Sequence, residues 1–201
     1  MKPIIGIINR SETLPSNNKI CYIYEDLANK IKEAGGIPIG IEKENIKDIL
    51  NITNGLVIQG GDKYEEDELK IIRYAYKSNI PTLGICLGMQ LMALATGSEL
   101  KKVKNHMNRK KYHEIRIIKN TKLYQILNKE KIIVNTRHNY AVKNTSLTVS
   151  GISNNIIEAI EDNKKTFFIG LQWHPESMNN DDTKKIFKKF IESVKKWHYK
   201  K

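Results

Sequence analysis

The stretch Thr82-Leu83-Gly84-Ile85-Cys86-Leu87-Gly88-Met89-Gln90 decides the reading of the whole chain. Thr82 to Ile85 is a short apolar run of strand type, Met89 to Ala95 has helical character, and Gly84-Ile85-Cys86-Leu87-Gly88 joins them as G-x-nucleophile-x-G. A nucleophile held at such a strand-to-helix turn sits on strained backbone. Gly84 and Gly88 remove side chains that would clash as the chain reverses. The new helix aims its amide groups and positive dipole end at the sulfur, which favours thiolate as the attacking form. The Leu87 backbone N–H would point at an oxyanion formed on a substrate carbonyl. A buried core cysteine in a glycine-containing turn is the plain alternative.

Working outward, the same alternation recurs. Ile4 to Ile8 reads as a strand, and Tyr24 to Glu33 as a helix stopped by Gly35-Gly36. Ile37 to Ile41 is a second strand, Asn45 to Ile52 a short helix, Gly55 to Gln59 a strand running into Gly60-Gly61, and Asp67 to Lys77 a helix. Strand and helix in alternation predict an α/β fold, a mostly parallel central sheet flanked by helices, in one domain spanning residues 1–201. Ligands of such sheets sit at the carboxyl ends of the strands, where Gly60-Gly61 and Cys86 fall. Beyond residue 110 the pattern turns strand-rich, with candidates at His113 to Ile118, Lys131 to Asn135, Ser146 to Ser150, Ile156 to Glu161 and Thr166 to Gln172. A last helix runs from about Asp182 to Trp197, apolar on one face and lysine-rich on the other, as a docked helix with a solvated face.

Two further segments carry chemistry. In Gly170-Leu171-Gln172-Trp173-His174-Pro175-Glu176 a strand delivers a histidine at its end, Pro175 stiffens the turn, and Glu176 returns a carboxylate that could bond one imidazole nitrogen. A lone strand-capping histidine is the alternative. In Val57-Ile58-Gln59-Gly60-Gly61-Asp62 two glycines after a buried strand let backbone approach a ligand, and one glycine N–H could be a second oxyanion donor.

The 34 Lys and Arg against 22 Asp and Glu give a net charge of +12, which raises a phosphate or nucleic-acid ligand. The lysines show no clustering with stacking aromatics, so surface charge is the simpler reading and nucleic acid is not expected. Cys21 and Cys86 are too few for a disulfide scaffold. Cys21, in Ile20-Cys21-Tyr22-Ile23, is expected as a small core hydrophobe, and the setting as reduced and cytoplasmic. No apolar run reaches the roughly 20 residues a membrane helix needs. His106 and His113 lack the spacing and companions of a metal set, and there is no phosphate-loop or dinucleotide glycine pattern, so neither metal nor cofactor is expected.

The three segments, in this order, resemble the class I glutamine amidotransferase family over most of the chain, from Ile4 to Glu176. The resemblance implies Cys86 as nucleophile, His174 as base and Glu176 as orienting carboxylate. It implies Gly60 or Gly61 with Leu87 as the oxyanion hole, and Gln90 as a contact to the glutamyl moiety. Within the family the chain is most similar to the γ-glutamyl hydrolase branch. Val134-Asn135-Thr136-Arg137-His138 resembles that branch's V-N-S-x-H segment at the active site, which implies Asn135, Arg137 and His138 as substrate-binding residues, and His113-Glu114-Ile115 resembles its H-x-I/V strand. Leu87 stands where the branch usually has Arg, and the loop after Gly60-Gly61 looks shortened, which points away from the branch's usual small-amine substrate. The substrate implied is a γ-glutamyl amide. A nucleotide-linked, phosphate-bearing leaving group would give Lys104, Arg109, Lys110, Lys111 and Arg137 a purpose. No synthetase partner is required for such a hydrolase. A glutaminase subunit serving a partner chain and a basic binding module are the rival readings.

Overall fold

The computed structural model describes residues 1–104 and 107–198, with backbone alone at 108–111 and 198. The amino-terminal half alternates as expected apart from one unexpected hairpin, β2 with β3: β1 (Ile4–Ile8), the hairpin β2 (Arg10–Thr13) and β3 (Lys19–Tyr22), α1 (Glu25–Glu33), β4 (Ile37–Ile41), α2 (Ile46–Ile52), β5 (Gly55–Ile58), α3 (Glu66–Lys77), β6 (Thr82–Ile85) and α4 (Leu87–Ala95). The carboxyl-terminal half adds β7 (Glu99–Lys102), β8 (Met107–Ile117), α5 (Lys122–Leu127), β9 (Lys131–Arg137), β10 (Tyr140–Asn144), β11 (Thr148–Ser153), β12 (Ile156–Glu161) and β13 (Phe168–Leu171). A 3-10 turn at Pro175–Ser177 and α6 (Asp181–His198) close it.

Eleven strands form one sheet in the order β4-β1-β5-β6-β13-β12-β11-β8-β9, with β10 pairing β12 and β7. The five strands β4, β1, β5, β6 and β13 are mutually parallel. From β12 onward the pairing is antiparallel. The chain is thus an α/β fold whose sheet is parallel over the five strands β4, β1, β5, β6 and β13, which helices flank, and antiparallel beyond them. Its parallel strands are continuous apolar runs because both faces are covered, with β5, β6 and β13 buried at every position. On one face Ile5, Val57, Leu83 and Ile169 pack with Leu27 of α1 and Phe190 of α6. On the other, Leu56, Ile58 and Phe168 pack with Ile72 of α3 and Leu91 of α4. Helix α6 has the two faces its pattern predicts: Ile186, Phe187, Phe190 and Val194 are buried, and Lys184, Lys188 and Lys195 are exposed. Among the described residues no helix is long and apolar enough to cross a membrane.

Two expectations are corrected. Cys21 is exposed, not core. It lies on β3, which among the described residues pairs with β2 alone in a two-stranded sheet outside the main one, with Ile20 exposed beside it. The strand expected at Ser146 to Ser150 is displaced to Thr148–Ser153. Leu147 N–H is bonded to the Thr145 hydroxyl in the turn, and a bulge at Gly151, packed against Ala159 and Ile115, carries the strand further.

Candidate active site

Strands β6 and β13 are parallel neighbours, with Gly170 opposite Gly84 and Leu171 opposite Ile85. They end level, and the Cys86 N–H donates to the Leu171 carbonyl at 2.7 Å. The residues just past each strand are therefore delivered to one place: Cys86 from β6, and Gln172-Trp173-His174 from β13. Cys86 adopts φ 52° and ψ −107° immediately ahead of α4. That left-handed backbone is costly for a residue with a Cβ and is held in place by its surroundings. A side chain at Gly88 would run into the Ile58 carbonyl, and one at Gly84 would meet the backbone of Gly88 and the Met92 sulfur. The G-x-C-x-G spelling reflects this packing: α4 begins directly against the ends of β5 and β6.

The imidazole is held through Nδ1. His174 Nδ1 lies 2.6 Å from Glu176 Oε1, brought back by the 3-10 turn at Pro175. On the cavity side the imidazole faces Cys86, whose influence adds to the rise of its pKa. Asn135, expected to touch substrate, braces this backbone. Its Nδ2 donates to the His174 carbonyl at 2.9 Å and its Oδ1 accepts the His174 N–H at 2.8 Å. Burial pulls the His174 pKa down, but the hydrogen bonds and charges of Cys86 and Glu176 outweigh it and raise the group to about 9. A protonated imidazole next to the sulfur stabilises thiolate and has a proton ready for a leaving nitrogen. The alkaline limb of kcat/KM should therefore lie near pH 9, where that proton is lost. Glu176→Gln, which keeps the shape and removes the charge, should move the limb to lower pH and reduce kcat, as a pH–rate profile of both proteins would show. An unmoved limb would deny Glu176 its bracing role.

The other residues expected from sequence surround this pair. Gly60 and Gly61 line a cavity of about 460 Å³ with Cys86, His174, Glu176 and Arg137. A Cβ at Gly60 would lie 3.0 Å from His174 Cε1 and 3.6 Å from Cys86 Cβ, so the loop passes directly beside the reacting groups. Leu87, Gln90 and His138 line an adjoining cavity that also includes Cys86. Gln90 Nε2 donates to the Tyr140 carbonyl at 2.9 Å and lies 3.3 Å from Gln172 Oε1. The Arg137 carbonyl accepts from Cys86 Sγ at 3.8 Å, and its guanidinium donates to the Ser177 hydroxyl at 2.8 Å. His138 is buried, with Nδ1 3.0 Å from the Tyr140 carbonyl and Nε2 3.7 Å from Glu158. His113 lies 3.3 Å from the same carboxylate. His106 and the side chains of Arg109, Lys110 and Lys111 lie outside the described residues, and Lys104 is exposed. Sequence reasoning passed over Tyr24, Asp26, Asp62 and Ser177, which also line the Cys86 cavity. They carry no motif, and only the fold gathers them.

Fold and site together define an α/β protein with a Cys–His–carboxylate arrangement at the carboxyl end of adjacent parallel strands. Residues 21–194 match the glutamine amidotransferase class-I family model. The chain belongs to that family, one of cysteine-type amide-hydrolysing enzymes. It is 28% identical to a glutamine amidotransferase-like protein of Rickettsia prowazekii, over 96% of this chain and 98% of that protein. It is 30% identical to the CTP synthase of Buchnera aphidicola from Schizaphis graminum over 96% of this chain. It spans only 45% of that synthase. Among solved structures the glutaminase domain of Trypanosoma brucei CTP synthase with bound acivicin shares the fold, with a TM-score of 0.79 and 16% identity over 97% of this chain and 94% of that one. A GMP synthase subunit of Thermoplasma acidophilum shares it with a TM-score of 0.78 and 20% identity over 99% and 98% of the two chains.

Proposed function

We propose that the protein hydrolyses a γ-glutamyl amide and releases glutamate. The observation that carries the reading is the placement of Cys86, His174 and Glu176 around one cavity by two adjacent parallel strands. The Cys86 thiolate attacks the γ-carbonyl, and the oxyanion is held by the Leu87 N–H and a Gly60 or Gly61 N–H. His174 protonates the departing nitrogen as the C–N bond breaks, then takes a proton from the water that attacks the thioester. Glutamate and the amine are the two products, with one water consumed and no cofactor or metal used.

For the leaving group, the overall sequence resembles the γ-glutamyl-CDP-amidate hydrolase of bacterial capsule phosphoramidate synthesis. The reaction would then yield glutamate and cytidine diphosphoramidate. Arg137 in the Cys86 cavity, and Lys63 in the adjoining one, suit a phosphate-bearing group there. Hydrolysis of γ-glutamyl-γ-aminobutyrate is the small-amine alternative. The likeness to CTP synthases favours a second reading, a glutaminase that passes ammonia to a partner synthetase. Glutamate release from L-glutamine, γ-glutamyl-γ-aminobutyrate and γ-glutamyl-CDP-amidate, measured on the purified chain alone, separates these. Preference for the nucleotide amidate by about 100-fold or more in kcat/KM is the expected result. Turnover of glutamine alone, or only when a synthetase is added, would replace this reading with the second. No glutamate from any of the three would remove it.

A further inference from the structure

Beneath the Gly60-Gly61 loop lies a buried arginine that the proposed reaction does not touch. Arg10, on β2, is 5% exposed. Its Nε donates to the Gly60 carbonyl at 2.9 Å, one terminal nitrogen donates to the Gln59 carbonyl at 2.7 Å, and the other pairs with Glu68 at 2.5 Å. Glu68 is itself 1% exposed, in the first turn of α3. Gln59 is equally enclosed. Its side chain accepts the Tyr24 N–H and donates to the carbonyls of Ile8 and Tyr22, so the strand end is also clamped from the β1 and β3 side. A Cβ at Gly61 would sit 2.9 Å from the Arg10 Nε, so the loop rests directly on the guanidinium.

Burying an ion pair generally gains little stability over apolar packing, because desolvation offsets the attraction. The geometry suggests what this one does. A peptide unit is planar and trans, so holding its carbonyl fixes its N–H on the opposite side. Arg10 holds the carbonyl of Gln59, whose peptide partner is the Gly60 N–H. It also holds the carbonyl of Gly60, whose partner is the Gly61 N–H. One rigid fork therefore orients two successive peptide planes, and both glycines line the cavity that contains Cys86 and His174. We infer that Arg10 is a positioning residue for the oxyanion donors: braced by Glu68, it keeps the Gly60 and Gly61 N–H groups aimed into the Cys86 cavity before substrate arrives. This role rests on the hydrolase reading.

A lysine cannot take this part. Its single ammonium keeps the ion pair with Glu68 but lacks the planar fork that spans two carbonyls. Arg10→Lys is therefore the first test. The double variant Arg10→Met/Glu68→Gln, which removes both charges and strands neither, is the second. Each is assayed on whichever of L-glutamine, γ-glutamyl-γ-aminobutyrate and γ-glutamyl-CDP-amidate the wild type turns over fastest, and by the rate of Cys86 alkylation with iodoacetamide. Alkylation is a displacement that forms no oxyanion, so it reports the thiol and its histidine without the loop. The expected result is a fall in kcat of about 10- to 100-fold, short of the roughly 100- to 1,000-fold cost of deleting a donor outright. KM should stay within about threefold, and alkylation within about twofold, of wild type. A kcat that stays at the wild-type value in both variants, or one that falls only in step with alkylation, would overturn the role. Wild-type protein that is alkylated at Cys86 yet hydrolyses none of the three amides would instead sink the hydrolase reading, and this role with it.

Discussion

On the proposed mechanism, Cys86→Ala is expected to lower turnover by about 10,000-fold or more while leaving the fold intact, because removing the nucleophile of a coupled triad removes the reaction path and not merely one contribution to it. Glutamate release under single-turnover conditions measures the loss. A variant with appreciable residual activity would end the assignment. The same position allows a sharper comparison. Cys86 sits at φ 52° and ψ −107°, a backbone that glycine adopts freely and alanine does not. Cys86→Gly should therefore be more stable than Cys86→Ala by about 1 kcal/mol and equally inactive. Urea midpoints of the two variants check the order. An alanine variant at least as stable as the glycine one would mean that the elbow holds no strain at this residue.

Gly88→Ala is expected to cost at least about 3 kcal/mol of stability, toward the upper end for an overpacked core position. The added methyl would enter the space of the Ile58 carbonyl, which is main chain at the end of β5 and cannot rotate aside as a side chain would. Relief would require α4 to move off the sheet, carrying Cys86 and the Leu87 N–H with it. Activity should fall with stability, and the urea midpoint should drop well below the wild-type value. An unchanged midpoint would show that the helix has room to back away from β5.

The parallel half of the fold was legible because its strands are short apolar runs of ordinary length separated by segments of helical periodicity, and such alternation implies a parallel sheet. The elbow and the Trp173-His174-Pro175-Glu176 turn were legible for a related reason: each is a short contiguous string whose residue types have few other uses together. The hairpin of β2 and β3 was not. Ser11 to Thr13 and Lys19 to Cys21 are exposed along their length and show no alternation, so they read as loop, and Cys21 was misplaced with them. Arg10 had no signal at all, since its partners come from residues 59, 60 and 68. The Glu158 carboxylate with His113 and His138 comes from three separate segments and is likewise invisible in one dimension. Asn135 shows a different limit: resemblance assigned it to substrate, and its two hydrogen bonds to the backbone of His174, which come from a segment 39 residues away, could not be read from sequence.

The pairing of β6 with β13 joins segments made far apart in time during synthesis. A chain leaving the ribosome presents its sulfur early, while the imidazole and its carboxylate are still being polymerised. Until β13 pairs with β6, the imidazole of His174 cannot be brought to Cys86, so the nascent polypeptide carries its thiol without its histidine. The strand order thus defers assembly of the site until residues 168–176 have been made.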